Sequence, residues 1–199
     1  MKTTIKLLFV LLLTSSCKAQ TIDISQQNGE NATGVYYKDI QNLLNTFEGT
    51  YLYSEGTASL KIIFRKQVMS SPANNRFRED LLVGEYQYIE NGIEKSNTLS
   101  NLNIFHSNGW KYSIDGNTVL VQGDPGCQDC LPNEKALRLG IVEESTNNSG
   151  FLIVRKTNVA GQEAIEVRII WDALKTVGAN NPAPIEPTIP GELFVLLKQ

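Results

Sequence analysis

A period-two alternation of apolar and polar residues constrains this chain more than any other feature. Over residues 58–67, Leu60, Ile62 and Phe64 fall on one face, with Lys61 and Arg65 on the other. Successive side chains of an extended chain point to opposite faces, so such a pattern predicts a half-buried strand. Residues 136–142 repeat it, with Leu137, Leu139 and Ile141 set against Arg138 and Gly140. Further strands are predicted at 48–53, 81–89, 93–99, 110–114, 118–122, 151–156, 164–171 and 193–197. Asn91-Gly92, Asp115-Gly116-Asn117 and Ala160-Gly161 stand between neighbouring strands as hairpin turns. Strands joined by tight turns pair antiparallel. The expectation is an all-β fold, an antiparallel meander of about 8–10 strands. It would be a closed barrel, with a two-sheet sandwich as the alternative. Pairing of the last strand with the first would remove the exposed edges.

Two segments precede the sheet. Asp39 followed by Ile40, Leu43, Leu44 and Phe47 has the spacing of one short N-terminal helix with an N-cap. Residues 17–36, polar and without period, are expected to form a flexible tether. Residues 37–199 would then make a single β domain.

Residues 1–16 carry a different signal. Lys2 and Lys6 precede an apolar run from Leu7 to Leu13, followed by Thr14, Ser15 and Ser16. That is the pattern of a secretory signal peptide, and the run is too short to span a bilayer. Leu13-Thr14-Ser15-Ser16-Cys17 is similar to a lipobox, which makes Cys17 the expected lipidation site and the mature N-terminus. The alternative is ordinary cleavage after Cys17-Lys18-Ala19, releasing a secreted soluble protein. Removing residues 1–16 takes away Lys2 and Lys6, leaving 16 basic against 21 acidic side chains of the 18 and 21 in the whole chain. Headgroup attraction is then weak, and two or more acyl chains on Cys17 would supply the anchoring. The remaining cysteines, Cys127 and Cys130, are expected to form a disulfide in an oxidising compartment. A redox dithiol and half a metal site are the alternatives, opposed by Asp124 and Asp129 and by the lack of a second cysteine pair.

Composition excludes several classes. A formal net charge of −3 gives no electrostatic footprint for nucleic acid. One histidine, His106, precludes multi-histidine metal chemistry. No nucleophile elbow, phosphate loop or dinucleotide fingerprint occurs. Glu79-Asp80 and Glu143-Glu144 are sequence neighbours that a strand sends to opposite faces. No enzyme activity, cofactor or metal is expected. Arg76 and Arg78, with Lys61, Arg65 and Lys66, read as a solvated basic face.

Aromatic residues offer the best binding candidates. Tyr51, Phe64, Tyr86, Tyr88 and Trp110 could line a pocket, each tyrosine and tryptophan joining an apolar body to a polar tip. The alternative is that they fill the core or pair across strands.

Two resemblances add to this reading. The SSCKAQ start, Tyr37-Lys38-Asp39, Phe47-Glu48-Gly49-Thr50-Tyr51, Leu82-Val83-Gly84-Glu85-Tyr86-Gln87-Tyr88 and the Lys198-Gln199 end resemble, as a set, small uncharacterised lipoproteins of Flavobacteria and related Bacteroidetes. At the first strand only, a short helix leading into Gly49-Thr50-Tyr51 resembles the entry to the lipocalin barrel, with Tyr51 in place of the tryptophan. Together they imply a cell-envelope lipoprotein with a lipocalin-like barrel. It would hold an apolar small molecule or lipid, or act as a scaffold for an envelope protein. Lys18-Ala19-Gln20-Thr21 lacks the acidic residues of surface-exported lipoproteins, which implies an outer-membrane anchor facing the periplasm.

Overall fold

The computed structural model describes residues 20–27, 31–72, 74–172 and 185–199. Its strands are β1 (Gln20–Asp23), β2 (Val35–Lys38), β3 (Gly49–Glu55), β4 (Ala58–Ser70), β5 (Arg78–Glu90), β6 (Ile93–Asn97), β7 (Ile114–Leu120), β8 (Ala136–Glu143), β9 (Asn148–Val159), β10 (Gln162–Trp171) and β11 (Leu193–Lys198). Short 3-10 turns at Ile24–Gln26, Leu44–Phe47, Leu99–Asn103 and Gly109–Lys111 complete the regular structure.

Eight strands close an antiparallel, lipocalin-like barrel in the order β5-β4-β3-β11-β10-β9-β8-β7 and back to β5. The last strand meets the first as expected, with Leu197 opposite Leu52 and Lys198 opposite Tyr51. The long β5 forms the seam. One edge pairs with β4. The other is shared by β2 at Arg78 and Glu79, β7 at Leu82–Gly84, and β6 from Gln87 to Glu90. Closure gives every barrel strand a partner on both sides.

Inward-facing residues meet in one apolar cluster that includes Tyr51, Leu60, Phe64, Tyr86, Leu139, Val167 and Phe194. Leu44 and Phe47, both fully buried, plug one end. Outside the wall, Leu102 and Tyr112 cover Leu81 and Val83 of β5. A third cluster packs Cys127 and Cys130 against Leu120, Ala136 and Ile153.

Three expectations change. The helix over 39–47 is a single 3-10 turn, Leu44–Phe47. Asp39 does accept from the Leu43 and Leu44 amides, at 2.7 and 2.9 Å, but Asn42 takes a left-handed φ of 55° and interrupts the helix before it can lengthen. Asp115-Gly116-Asn117 is no hairpin turn. Strand β7 runs through it with a bulge between Asp115 and Thr118, and Gly116 at φ 149° absorbs the extra residue. Its expected partner, residues 110–114, forms no strand before Ile114: Trp110 and Lys111 end a 3-10 turn and Tyr112 and Ser113 bend, so β7 pairs with β5 and β8 instead. The tether over 17–36 is also shorter than expected. Gln20–Asp23 and Val35–Lys38 form a parallel pair that extends the sheet through β5. Burial of Ile24 and Val35 in the main cluster holds them there.

Candidate functional site

Four of the five aromatic candidates follow the core-filling reading. Tyr51, Phe64, Tyr86 and Tyr88 are buried inside the barrel, packed with the aliphatic side chains of the core. Tyr51 and Phe64 meet at tilted rings 6.2 Å apart. Burial pushes the Tyr51 and Tyr86 hydroxyls up to about 12, so both stay protonated. None of these four borders the clefts described below. Trp110 does, because it sits on the outside of the wall in the 3-10 turn Gly109–Lys111.

The cleft beside Trp110 has a volume of about 550 Å³. Backbone of β7, β8 and β9 lines it at Gly116, Gly140 and Gly150. Asp115 lies opposite Gly140, and Ile141 opposite Gly150, so these glycines sit on adjacent strands. Gly150 cannot take a side chain, because a Cβ there would lie 2.8 Å from the Trp171 Cα and closer still to the Ile170 carbonyl.

One wall of the cleft is acidic and amide-rich. Glu79 is buried, yet both carboxylate oxygens are held. The Trp110 indole Nε1 donates to Oε1 at 3.1 Å, and the Asn117 Nδ2 donates to Oε2 at 3.1 Å. Burial raises the Glu79 pKa, while hydrogen bonds from Asn117, Trp110 and Gln27 work against it. The Gln27 Oε1 is buried and accepts no hydrogen bond. Two residues before Asn117 in β7, burial pushes Asp115 up to about 7, with repulsion from Glu79 the second cause.

The opposite wall carries the Arg138 guanidinium, 4.1 Å above the Phe151 ring. Asp172 accepts from Ser149 Oγ at 2.8 Å nearby. The cleft therefore offers open acceptors, one cation and two aromatic faces.

A second polar hollow of about 620 Å³ shares Trp110 with the first. His106 Nε2 lies 2.9 Å from Asn101 Oδ1, and Asn101 Nδ2 donates to the buried Glu85 Oε1 at 2.6 Å. The expected basic face is dispersed: Lys66 pairs with Asp39, Arg65 donates to the Leu102 carbonyl, and Arg78 donates to Ser71 Oγ.

Cys127 and Cys130 lie at disulfide distance, Cα atoms 5.0 Å apart, and both are buried. The loop they close is clasped by Arg155, which donates to Asp129 and Glu134. Cys17 and the signal segment lie outside the described residues.

Sequence patterning did not single out Glu79, Asn117, Arg138 or Asp115 as a group. The available signal was Asp115 and Asn117 flanking Gly116, which a straight strand would place on one face; the bulge keeps Asn117 close to Glu79.

Among the described residues no group of three or more His, Cys, Asp or Glu side chains could hold a metal ion. No helix among them is long and apolar enough to cross a membrane. No curated protein and no solved structure matches the chain. A family model does match, over residues 1–199: DUF6705, a family of unknown function.

Proposed function

Because the chain belongs to this family of unknown function along its whole length, its own geometry must carry the assignment, and we propose a cell-envelope lipoprotein that binds a small polar molecule in the outer cleft. Acylation of Cys17 would hold it to the outer membrane, facing the periplasm. The ligand would carry hydroxyl or amino donors, as a saccharide or an amino polyol does.

The observation that supports this best is Glu79. A buried carboxylate is costly unless hydrogen-bonded, and here Trp110 and Asn117 hold it at the cleft wall. The unpartnered Gln27 Oε1 beside it offers a place for a donor. An aromatic face next to amides and carboxylates suits a ring with polar edges. An apolar ligand inside the barrel has less support, since the expected pocket tyrosines are packed against the core.

The test is calorimetric titration of the full chain with a panel of saccharides, amino sugars and polyols, beside a fatty acid series. The expected result is binding within the polar panel. Glu79→Gln should then weaken it tenfold to a hundredfold, since hydrogen bonds to charged groups contribute about 1.5–3 kcal/mol. Binding of fatty acids alone would overturn the proposal. The mass of the mature N-terminus tests the anchor separately.

A further inference from the structure

The N-terminus of the domain and a set of exposed apolar side chains share one end of the barrel. Ser70 of β4 pairs with Glu79 of β5, Glu79 with Tyr37 of β2, and Tyr37 with Ile22 of β1. These four residues make one transverse row. Strands β1 and β2 run parallel to β5, so stepping back from Ile22 to Gln20 leads outward from that row to the rim. The chain therefore enters the domain where β4 ends and β5 begins.

Val68 and Met69 are exposed on that rim. Ile104 and Phe105 join them from the segment that follows the 3-10 turn Leu99–Asn103. The Gln67 Nε2 donates to the His106 carbonyl at 2.7 Å, and the Ser71 amide donates to the Ser107 carbonyl at 3.1 Å. Those bonds fix the segment against the end of β4. Phe105 is 83% exposed, and Met69 is held there with a left-handed φ of 54°. Scattered exposed apolar residues need no explanation, but a group gathered at one rim does.

Strand β7 runs antiparallel to β5, so its end at Leu120 brings the disulfide loop to the same rim. Lys135, at the end of that loop, donates to Gln41 Oε1 at 2.5 Å. Leu131 of this loop is exposed as well. Arg76, exposed just before β5, adds a cation at the edge.

Cys17 stands three residues before Gln20. A chain of that length reaches at most about 11 Å. An acylated Cys17 would thus hold this rim at the bilayer surface, within the depth of about 5–10 Å over which apolar side chains enter the headgroup region.

We propose that this rim, led by Val68, Met69, Ile104 and Phe105, docks on the lipid bilayer that carries the anchor, so that the barrel stands end-on upon the membrane. The inference rests on the anchoring reading given above. The Asn91-Gly92 hairpin, at the other end of β5, then points away from the lipid.

The experiment uses the chain from Cys17 onward, which keeps β1 to β11. Cys127 and Cys130 are joined to each other, so the Cys17 thiol can be coupled to a maleimide lipid in phosphatidylethanolamine and phosphatidylglycerol vesicles. A tryptophan is introduced by Phe105→Trp on the rim, or by Ile93→Trp at the far end, and quenching by brominated acyl chains is read against the unsubstituted chain. Both sites are exposed, and circular dichroism checks that each variant keeps the fold. At least a twofold gain in quenching is expected for Phe105→Trp, with none for Ile93→Trp. Equal quenching of the two would overturn the docking surface. Because the coupling is chemical, this result does not depend on natural acylation. An unmodified Cys17 in the exported protein would instead sink the anchor reading while leaving the rim measurement standing.

Discussion

The Lys66 ammonium lies 2.8 Å from the Asp39 carboxylate, and that carboxylate has no solvent exposure. The same group accepts the Leu43 and Leu44 amides, while Lys66 Nζ also donates to Asn45 Oδ1. Asp39 thus ties the capping turn to β4. Asp39→Ala removes three acceptor contacts at once and leaves a poorly solvated cation. It is expected to destabilise the fold by about 3 kcal/mol, at the low end for breaking a buried pair. Lys66→Met should cost less, because the two amides still hold the carboxylate. Urea unfolding of both variants checks the order, and an Asp39→Ala effect no larger than that of Lys66→Met would refute it.

Asp115 gives the protein a pH dependence of known sign. Burial first, and Glu79 second, push its carboxyl up to about 7 in the folded state. The unfolded carboxyl titrates near 3.9. Between about pH 4 and pH 7 the folded form therefore binds more protons than the unfolded form, and stability falls as pH rises through that window. Asp115→Asn should flatten this slope, leaving the smaller part due to Glu79, and raise stability at pH 8 relative to the parent, with little change at pH 4. Denaturation midpoints measured across that range decide the matter; a variant that keeps the slope would show that another group carries it.

The disulfide loop is stiffened at modest energetic gain. Closing so short a loop is worth about 2 kcal/mol on the chain-entropy model. Cys127→Ala with Cys130→Ala also removes two buried side chains from the cluster with Leu120 and Ile153. The melting temperature is expected to fall by roughly 4–8 °C, since a chain of this size shifts by about 2–4 °C per kcal/mol. Scanning calorimetry with and without reductant measures it.

Gly84 faces Phe64 across the β4–β5 ladder. A Cβ there would stand 2.7 Å from the Phe64 ring and 3.0 Å from the Ile63 carbonyl oxygen. The ring cannot yield far in a packed core, so Gly84→Ala is expected to cost about 1–3 kcal/mol. Gly92→Ala tests the other role of glycine. Its Cβ would meet nothing, but its φ of 73° is left-handed, and the cost there comes from backbone strain alone. Chemical denaturation of the two variants, compared with a double variant, should show additive losses because the sites are far apart.

The sequence by itself determined the strand content and most turn positions. Those follow from local rules: alternation selects faces over 58–67 and 136–142, and Asn91-Gly92 and Ala160-Gly161 adopt the left-handed angles that tight hairpins require. Only the tertiary structure decided which aromatic residues face a ligand. Tyr51 and Trp110 look alike in a strand pattern, yet one is sealed in the core and the other is held outside by a 3-10 turn and the Glu79 carboxylate. The cleft joins residues from β5, β7, β8 and β9, and Glu79, Asn117, Arg138 and Phe151 border one hollow only after the pairing of β5, β7, β8 and β9 sets the register. Periodicity records what each segment buries; it carries no information about which distant segments a closing barrel brings into contact.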